Sequence, residues 1–414
     1  MKVLHVNYSD YTGGAARAAY RIHSGLRKIG VDSHMLVLQK VTNSETVSAP
    51  LSTAQLLRSR IFRKLERKLC EYQQDGNPIL HSLNLFSSGL ARHIDAHNPD
   101  VVNLHWLGYN TLTISEIARI RQPVVWTLHD MWTFTGTAHY EQEEPASGWQ
   151  QGYVGKRPEG FKGFDWDKII FRHKKRAWSP MNLVTPSRWL AECAGKSALC
   201  HDYPRKVIHN GIDLSIYRPI DRRQARAALG LPLDCPLILF CALSSTADPR
   251  KGFHQLGAAL QLIEVALMEK GCRIVVLGGE PGKEHQLGKL PTHSLGTVSE
   301  DADLALIYSA ADVFVAPSLQ DNLPNTMVES LACGTPCVAF SIGGFKDAIV
   351  TGSNGFLAEA FDVNELASGI LAVLNSDSLP MRDACRESAQ RLFADTDVAK
   401  AYLAHYEALV PSGT

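Results

Sequence analysis

The residues that could do chemistry in this chain lie in a few short runs, each at the end of an apolar stretch. The richest is Val313–Gly355. An apolar strand ends there at Pro317-Ser318, a loop carries Asp321, and Pro324 is expected as the first helical residue. Glu329 then falls in the second turn of that helix. Backbone N–H groups near Asn325 and Thr326 would point out of the helix start, an arrangement suited to a phosphate. One carboxylate in the loop and one on the helix, eight positions apart, can flank the same ligand. A second run, Asp248-Pro249-Arg250-Lys251-Gly252-Phe253, places a guanidinium fork and a point-charge ammonium where open α/β sheets bind ligands. A third, Ser9-Asp10-Tyr11-Thr12-Gly13-Gly14, sets paired glycines between a first strand and its helix, so that backbone can approach an anion closely. It is not GxGxxG, and the dinucleotide-oxidoreductase fingerprint fails. His129-Asp130 ends another strand, and His105-Trp106 ends an earlier one.

Each run has a plainer reading by itself: a tight turn, a solvated helix start, a turn aspartate beside an exposed helix glutamate, a core histidine oriented by its neighbour. Two adjacent cations at a helix start oppose the helix dipole, which makes mere solvation less comfortable there. Taken together, the glycine loop, the cation pair and the two carboxylates are most economically explained by a nucleotide-sugar site.

Positioning these runs requires strands and helices in alternation, and the sequence supplies them. Strand-like runs in the first half are Val3–Val6, His34–Leu38, Val101–Leu104, Val124–Leu128 and Leu183–Thr185. In the second half they are Leu237–Cys241, Ile274–Leu277, Val313–Ala316 and Cys337–Phe340. Helices are expected over Ala15–Ile29, closed by Gly30, and over 252–269, 301–310, 325–333 and 362–375. This is the signature of an α/β fold with two doubly wound parallel sheets in tandem. Residues 141–164, with five Gly, two Pro and no period, read as a long loop. The junction is expected at Val207–Asp213, where a strand runs into an Asn-Gly turn.

Composition narrows the class. A length of 414 residues suits two domains, and 45% hydrophobic content excludes a disordered chain. Nine cysteines lie singly; the closest pair, Cys333 and Cys337, has no neighbouring ligand histidine, so neither a zinc ribbon nor a disulfide framework is read and a reducing compartment is expected. No stretch reaches the ~18 apolar residues of a membrane span, and the polar residues by position 10 argue against a signal peptide. Residues 1–210 hold 27 Lys+Arg against 18 Asp+Glu, and residues 211–414 hold 15 against 24, so halves of +9 and −9 hide behind a net charge of zero. The first half is therefore expected to face something anionic, with nucleic acid and a membrane surface as the candidates.

On these motifs the chain resembles glycosyltransferase family 4, retaining enzymes of the GT-B architecture. The resemblance runs from Gly13-Gly14 through Thr127-Leu128-His129-Asp130-Met131-Trp132, Thr185-Pro186-Ser187-Arg188 and His209-Asn210-Gly211-Ile212-Asp213. It continues through Arg250-Lys251-Gly252, Tyr308-Ser309-Ala310-Ala311-Asp312 and Ala316-Pro317-Ser318 into the carboxylate pair. It implies two Rossmann-like domains facing across a cleft: residues 1–206 with a C-terminal crossover helix at about 394–414, and residues 207–393. It implies transfer of a sugar from a nucleotide diphosphate donor to a hydroxyl. No Asp-rich or His-rich ligand motif is visible in the sequence, so neither a metal nor another cofactor is expected and the leaving diphosphate falls to Lys251, Arg250 and helix dipoles. Within the family the chain is most similar to bacterial enzymes of exopolysaccharide and lipid-linked oligosaccharide assembly. By the same resemblance Glu329 binds the ribose, Asp321 faces the sugar hydroxyls, and Lys251 holds the diphosphate with the amides near Leu323 and Asn325. Gly13 and Gly14 approach the diphosphate from the other domain, and His129 approaches the sugar or the reacting centre. From their places at strand ends, His105, Trp106 and Asp130 are expected in the same cleft on the acceptor side. Two positions depart from the family. Asp321 is one methylene shorter than the usual glutamate, and Ser245 stands where an arginine is frequent, a place Arg250 would have to fill.

Residues 55–70 (QLLRSRIFRKLERKLC) place Leu57, Ile61, Leu65 and Leu69 at helical spacing, with six cations against Glu66. That composition suits a helix lying on an anionic bilayer, and His173-Lys174-Lys175-Arg176 adds to the same charge. The expectation is a cytoplasmic protein held peripherally at the inner face of the cytoplasmic membrane, acting on a glycan or lipid-linked acceptor and not on nucleic acid. A nucleotide-sugar epimerase and a non-catalytic nucleotide-sugar-binding protein are the rival readings.

Overall fold

Short apolar runs alternating with helices become two separate parallel sheets. The computed structural model describes residues 1–145, 147–155, 157, 159–241, 248–278 and 288–410. The strands of the first half are β1 (Lys2–Ser9), β2 (Asp32–Gln39), β3 (Val47–Ser48), β4 (Gln73–Gln74), β5 (Val101–Leu104), β6 (Val124–Thr127), β7 (Lys162–Gly163), β8 (Asn182–Thr185) and β9 (Arg205–Val207). Those of the second half are β10 (Leu237–Cys241), β11 (Arg273–Leu277), β12 (Thr292–Ser294), β13 (Val313–Ala316), β14 (Cys337–Phe340) and β15 (Gly355–Ala358). The first sheet has seven strands in the order β3-β2-β1-β5-β6-β8-β9, and the second has six in the order β12-β11-β10-β13-β14-β15. A small antiparallel pair, β4 with β7, stands apart. In both sheets the order reverses beside the first strand, between β1 and β5 and between β10 and β13. Open α/β sheets bind ligands at such reversals.

Every residue of β5, β13 and β14 is buried. That is what helices on both faces of a parallel sheet demand, and it explains runs with no polar alternation. The chain divides into Met1–Gly211 with Thr396–Thr414, and Ile212–Asp395. The division lies later than residue 206 because β9 completes the first sheet by pairing with β8. The C-terminal helix Asp395–Glu407 returns to the first unit, where Tyr402 and Tyr406 are fully buried. The Tyr406 hydroxyl accepts a 2.6 Å hydrogen bond from Asn103 Nδ2, and Tyr402 Oη lies 3.2 Å from Thr127 Oγ1.

Local outcomes differ from expectation at four places. Pro324 is the cap of the helix Asn325–Ala332 and not its first residue. The helical stretch after Gly252 breaks at Ile263 into Phe253–Leu262 and Glu264–Glu269. A further helix, Ser378–Phe393, carries no signal singled out above. Residues 141–164 contain one helical turn, Gly148–Gln151, which fixes Trp149 in the core.

The basic segment folds as the helix Thr53–Cys70, opened by a capping box between Ser52 and Gln55. Its single acid, Glu66, turns inward, accepting the N–H groups of Leu83 and Asn84 at 3.2 Å each. Burial pushes the Glu66 carboxyl up to about 7, against those two donors. Leu56 and Leu69 pack on the core, and Phe62 stacks on Phe86 at 5.0 Å between ring centroids. Leu57, Ile61 and Leu65 are 58%, 55% and 43% exposed, so the outward face is an apolar stripe flanked only by cations. Leu69 does not belong to that stripe. Lys174 was expected at the surface and is fully buried, because its ammonium is drawn under the loop after β6. Among the described residues no helix is long and apolar enough to cross a membrane.

Candidate functional site

In the first unit, β1, β5 and β6 end side by side, and their ends carry Ser9–Gly14, His105-Trp106 and His129-Asp130. The β1 loop is shaped by side-chain acceptors. Ser9 Oγ receives the N–H groups of Tyr11 and Thr12 at 3.3 and 3.2 Å, and the Asp10 carboxylate receives those of Val41 and Thr42 at 2.8 and 2.9 Å. Gly13 has φ +93° and open space where a Cβ would stand, so it is backbone conformation, and not crowding, that selects glycine there. The helix Gly14–Lys28 starts at once with no side-chain cap.

His129 and Asp130 keep part of their surface exposed, while His105 is 2% exposed. Asp130 is the hub. Its Oδ2 accepts from Trp106 Nε1 at 2.8 Å and from His139 Nδ1 at 2.6 Å, and its Oδ1 accepts from the Trp132 N–H at 2.9 Å. Burial by itself would raise this carboxyl; the His139 ring and these hydrogen bonds outweigh it and hold the group below its ordinary value. Asp130 is thus an ionised, well-occupied acceptor that orients Trp106 and His139. Burial brings the His129 imidazole down to about 4 despite Asp130, so the ring is neutral near pH 7. Trp132 and Thr133 line the same small recess. The loop they belong to rests on Lys174, whose Nζ donates to the carbonyls of Trp132, Thr135 and Gly136 and sits 3.8 Å from the Trp132 ring centroid.

In the second unit the loops after β10 and β13 flank the strand-order reversal. Lys251 Nζ pairs with Asp321 Oδ2 at 2.6 Å, and the Asn322 N–H donates to Asp321 Oδ1 at 3.0 Å. Arg250 is engaged differently: its guanidinium meets Asp248 at 2.7 Å and the Gln320 carbonyl at 3.3 Å, while its own carbonyl accepts the Leu319 N–H at 2.7 Å. Gly252 lets these two loops touch, because it has φ +69° and a Cβ there would lie 1.8 Å from the Pro317 carbonyl oxygen. Leu323 and Asn325 stand at the start of the helix Asn325–Ala332, which has no side-chain cap. Glu329, 3% exposed, accepts from the Tyr308 hydroxyl at 2.9 Å. Burial and the Glu329 carboxylate push the Tyr308 phenol well above its ordinary value, so it remains the donor.

The structure thus brings Lys251 to Asp321 and His105, Trp106, His129 and Asp130 to one another, each group within its own unit. Ser245 lies outside the described residues. Among the described residues no three His, Cys, Asp or Glu side chains gather as metal ligands. Sequence reasoning missed His139 altogether and, for Lys174 and Tyr308, the parts they play here. Tyr308 sits in a run already noted, whereas His139 and Lys174 reach the site through loop and helix packing that no spacing announces.

Comparison with known proteins adds a family. The profile described as Glycosyltransferase Family 4 matches residues 12–216, and that described as Glycosyl transferases group 1 matches residues 235–376. D-inositol 3-phosphate glycosyltransferase of Mycobacterium tuberculosis is 31% identical over 214 residues, 48% of this chain and 43% of that protein. The matched stretch therefore spans less than half the length of these curated relatives. Sucrose-phosphate synthase from Thermosynechococcus elongatus superposes with a TM-score of 0.68 at 17% identity, covering 100% of both chains. Anabaena HepE, in complex with UDP-glucose, gives 0.64 at 18% identity over 99% of this chain and 100% of its own. At such identities the likeness shows the fold, a GT-B pair of Rossmann-like domains.

Proposed function

The chain belongs to the glycosyltransferases of family 4 type, and on that premise we propose that it moves a sugar from a nucleotide diphosphate sugar to a hydroxyl of a glycan or lipid-linked acceptor. The transfer keeps the anomeric configuration, needs no metal ion, and serves bacterial polysaccharide assembly. The observation that carries this reading is the Lys251–Asp321 pair beside the reversal between β10 and β13, with Glu329 on the helix that follows. Lys251 holds the diphosphate with the amides around Leu323 and Asn325, Glu329 takes the ribose hydroxyls, and Asp321 faces the sugar. Arg250 acts by fixing the Asp248 and Gln320 loops that carry Lys251 and Asp321. Preorganised charges of this kind are usually the largest catalytic contribution, at about 1.5–3 kcal/mol for each charge-assisted contact.

On the acceptor side, His129 approaches the sugar, and Asp130, already ionised and engaged, orients Trp106 and His139. The cationic helix Thr53–Cys70, with its outward apolar stripe, favours an acceptor presented at an anionic membrane surface. The protein then works at the cytoplasmic face of that membrane. The deciding experiment incubates the chain with a panel of nucleotide sugars, with and without free and lipid-linked glycans, with EDTA in a parallel set, and reads products by mass spectrometry. Donor consumption that requires an acceptor and survives EDTA supports the proposal. A changed sugar in the absence of acceptor makes the protein an epimerase, and binding without turnover makes it a sensor.

A further inference from the structure

Three imidazoles form a continuous line through the first sheet and end at His129. His5 lies within β1, His105 just past β5, and His129 just past β6. These strands are neighbours, with His5 paired to Asn103 and Asn103 to Val125. Steps of two residues keep side chains on one face of a sheet, so the line advances along the strands as it moves from β1 to β5 to β6. His5 Nδ1 lies 2.8 Å from His105 Nε2, and His105 Nδ1 lies 3.1 Å from His129 Nε2. The rings stack at 5.1 and 5.3 Å between centroids, with interplanar angles of 26° and 27°. Burial lowers all three below the ordinary imidazole value, His129 to about 4.

A neutral imidazole has one N–H and one lone pair. Two consecutive bonds between three such rings leave only two arrangements of protons. In one, every proton is on Nδ1: His5 donates to His105, His105 donates to His129, and a lone pair is left over on His5 Nε2. In the other, every proton is on Nε2, the bonds run backwards, and an N–H is left over on His5. The His5 Nε2 atom is buried and has no hydrogen-bond partner among the described residues. An orphaned N–H in a protein interior is rarer than an under-satisfied acceptor, which selects the first arrangement.

We propose that His105, backed by His5, is a positioning residue that fixes His129 as the tautomer protonated on Nδ1, so that His129 meets the substrate as a hydrogen-bond donor and not as a base. Its single lone pair, on Nε2, is consumed by His105. Removal of the acceptor hydroxyl's proton therefore falls to another group. The use made of this donor rests on the reading of His129 as a residue at the transferred sugar; the tautomer does not.

The test is a two-bond proton–nitrogen correlation spectrum of the full chain labelled with ¹⁵N-histidine at pH 7.5, assigned with single histidine variants. His105 and His129 are expected in the Nδ1–H form. In His105→Leu, which removes the donor, the His129 nitrogens should move toward tautomer-averaged shifts. In His105→Asn, whose amide can donate from near the former Nδ1 position, the Nδ1–H pattern should return. Tryptophan fluorescence checks that each variant is folded. An Nε2–H form of His129 in the parent protein, or a His129 pattern indifferent to His105→Leu, overturns the relay. The parent spectrum decides the matter even if a variant does not fold. A parent spectrum as expected, with a full-speed His129→Ala variant, would leave the relay standing and remove His129 from the sugar site.

Discussion

Lys174 is a buried cation with no carboxylate paired to it among the described residues, and replacing it by methionine should change how the first unit responds to pH. Burial lowers its ammonium from 10.5 to about 7. In the unfolded chain the group keeps its proton up to about 10.4, so between pH 7 and that value the unfolded state binds more protons. A base depressed on folding contributes stability that is present above its unfolded pKa and is lost as pH falls through its folded one. Stability should therefore rise with pH across this window, approaching about 1.4 kcal/mol per unit above pH 7. From pH 7.0 to 8.5 the parent should gain about 1.5–2 kcal/mol relative to Lys174→Met, allowing for half-protonation at the lower end. Thiols of the unfolded chain begin to titrate toward pH 8.5, but they do so equally in both proteins and cancel in the difference. The assay is urea unfolding followed by tryptophan fluorescence. All seven tryptophans lie between residues 106 and 189, so the signal reports on the first unit alone. The inference rests on the difference in pH slope, because the intercept mixes lost carbonyl partners with a relieved desolvation cost. Parallel stability–pH curves for the two proteins would refute the buried-cation account.

Further outcomes follow from the second unit and the basic helix. Glu329→Ala and Lys251→Ala should each weaken binding of a nucleoside diphosphate by roughly tenfold to a hundredfold, the worth of one charge-assisted contact; calorimetry showing parent-like binding in both would dismiss the site. Asp321→Ala should cut turnover roughly a hundredfold, about 2.7 kcal/mol, with nucleotide affinity largely kept, and Asp321→Glu should retain much of the activity; a full-speed alanine variant is the contrary result. Binding to anionic vesicles should be salt-sensitive and absent with neutral ones. At about 1 kcal/mol per cation, changing Arg60, Lys64, Arg67 and Lys68 to Gln should weaken it by about three orders of magnitude. Arg63 is spared because it donates to the Tyr8 hydroxyl at 3.1 Å; equal binding to both vesicle types would defeat the electrostatic picture.

The central strands were legible because both faces of a parallel sheet are covered, so β10, β13 and β14 announce themselves as unbroken apolar runs and β5 as a run broken only by Asn103. Strands at the sheet margins, such as β3, β12 and β15, are short or lie outside those runs, and their pairing is decided by the neighbour rather than by their own composition. The site divides along the same line. Lys251, Asp321 and Glu329 follow strand ends and helix starts, which sequence marks with Pro and Gly. His5 carried no signal, since a histidine inside a strand reads as filler until its register with Asn103 is known. His139 and Lys174 reach Asp130 and the loop after it from a loop and a separate helix. The inward turn of Glu66 was likewise hidden: helical spacing shows which residues share a face, not which face meets the core.

The return of Asp395–Glu407 to the first unit bears on how the protein is born. Val398, Ala399, Tyr402 and Tyr406 belong to the same core as Val3, Val101, Val125 and Val184. A ribosome emits the strands of that core early and the helix that closes it only after Ile212–Asp395 has been made. At about 5–20 residues per second the wait is about 10–40 s. The second unit, one uninterrupted stretch, can finish folding during that interval. The first meanwhile holds an open apolar face, on which Thr127 Oγ1 and Asn103 Oδ1 meet each other but Asn103 Nδ2 still lacks the Tyr406 hydroxyl. The vulnerable nascent species is therefore the half synthesised first.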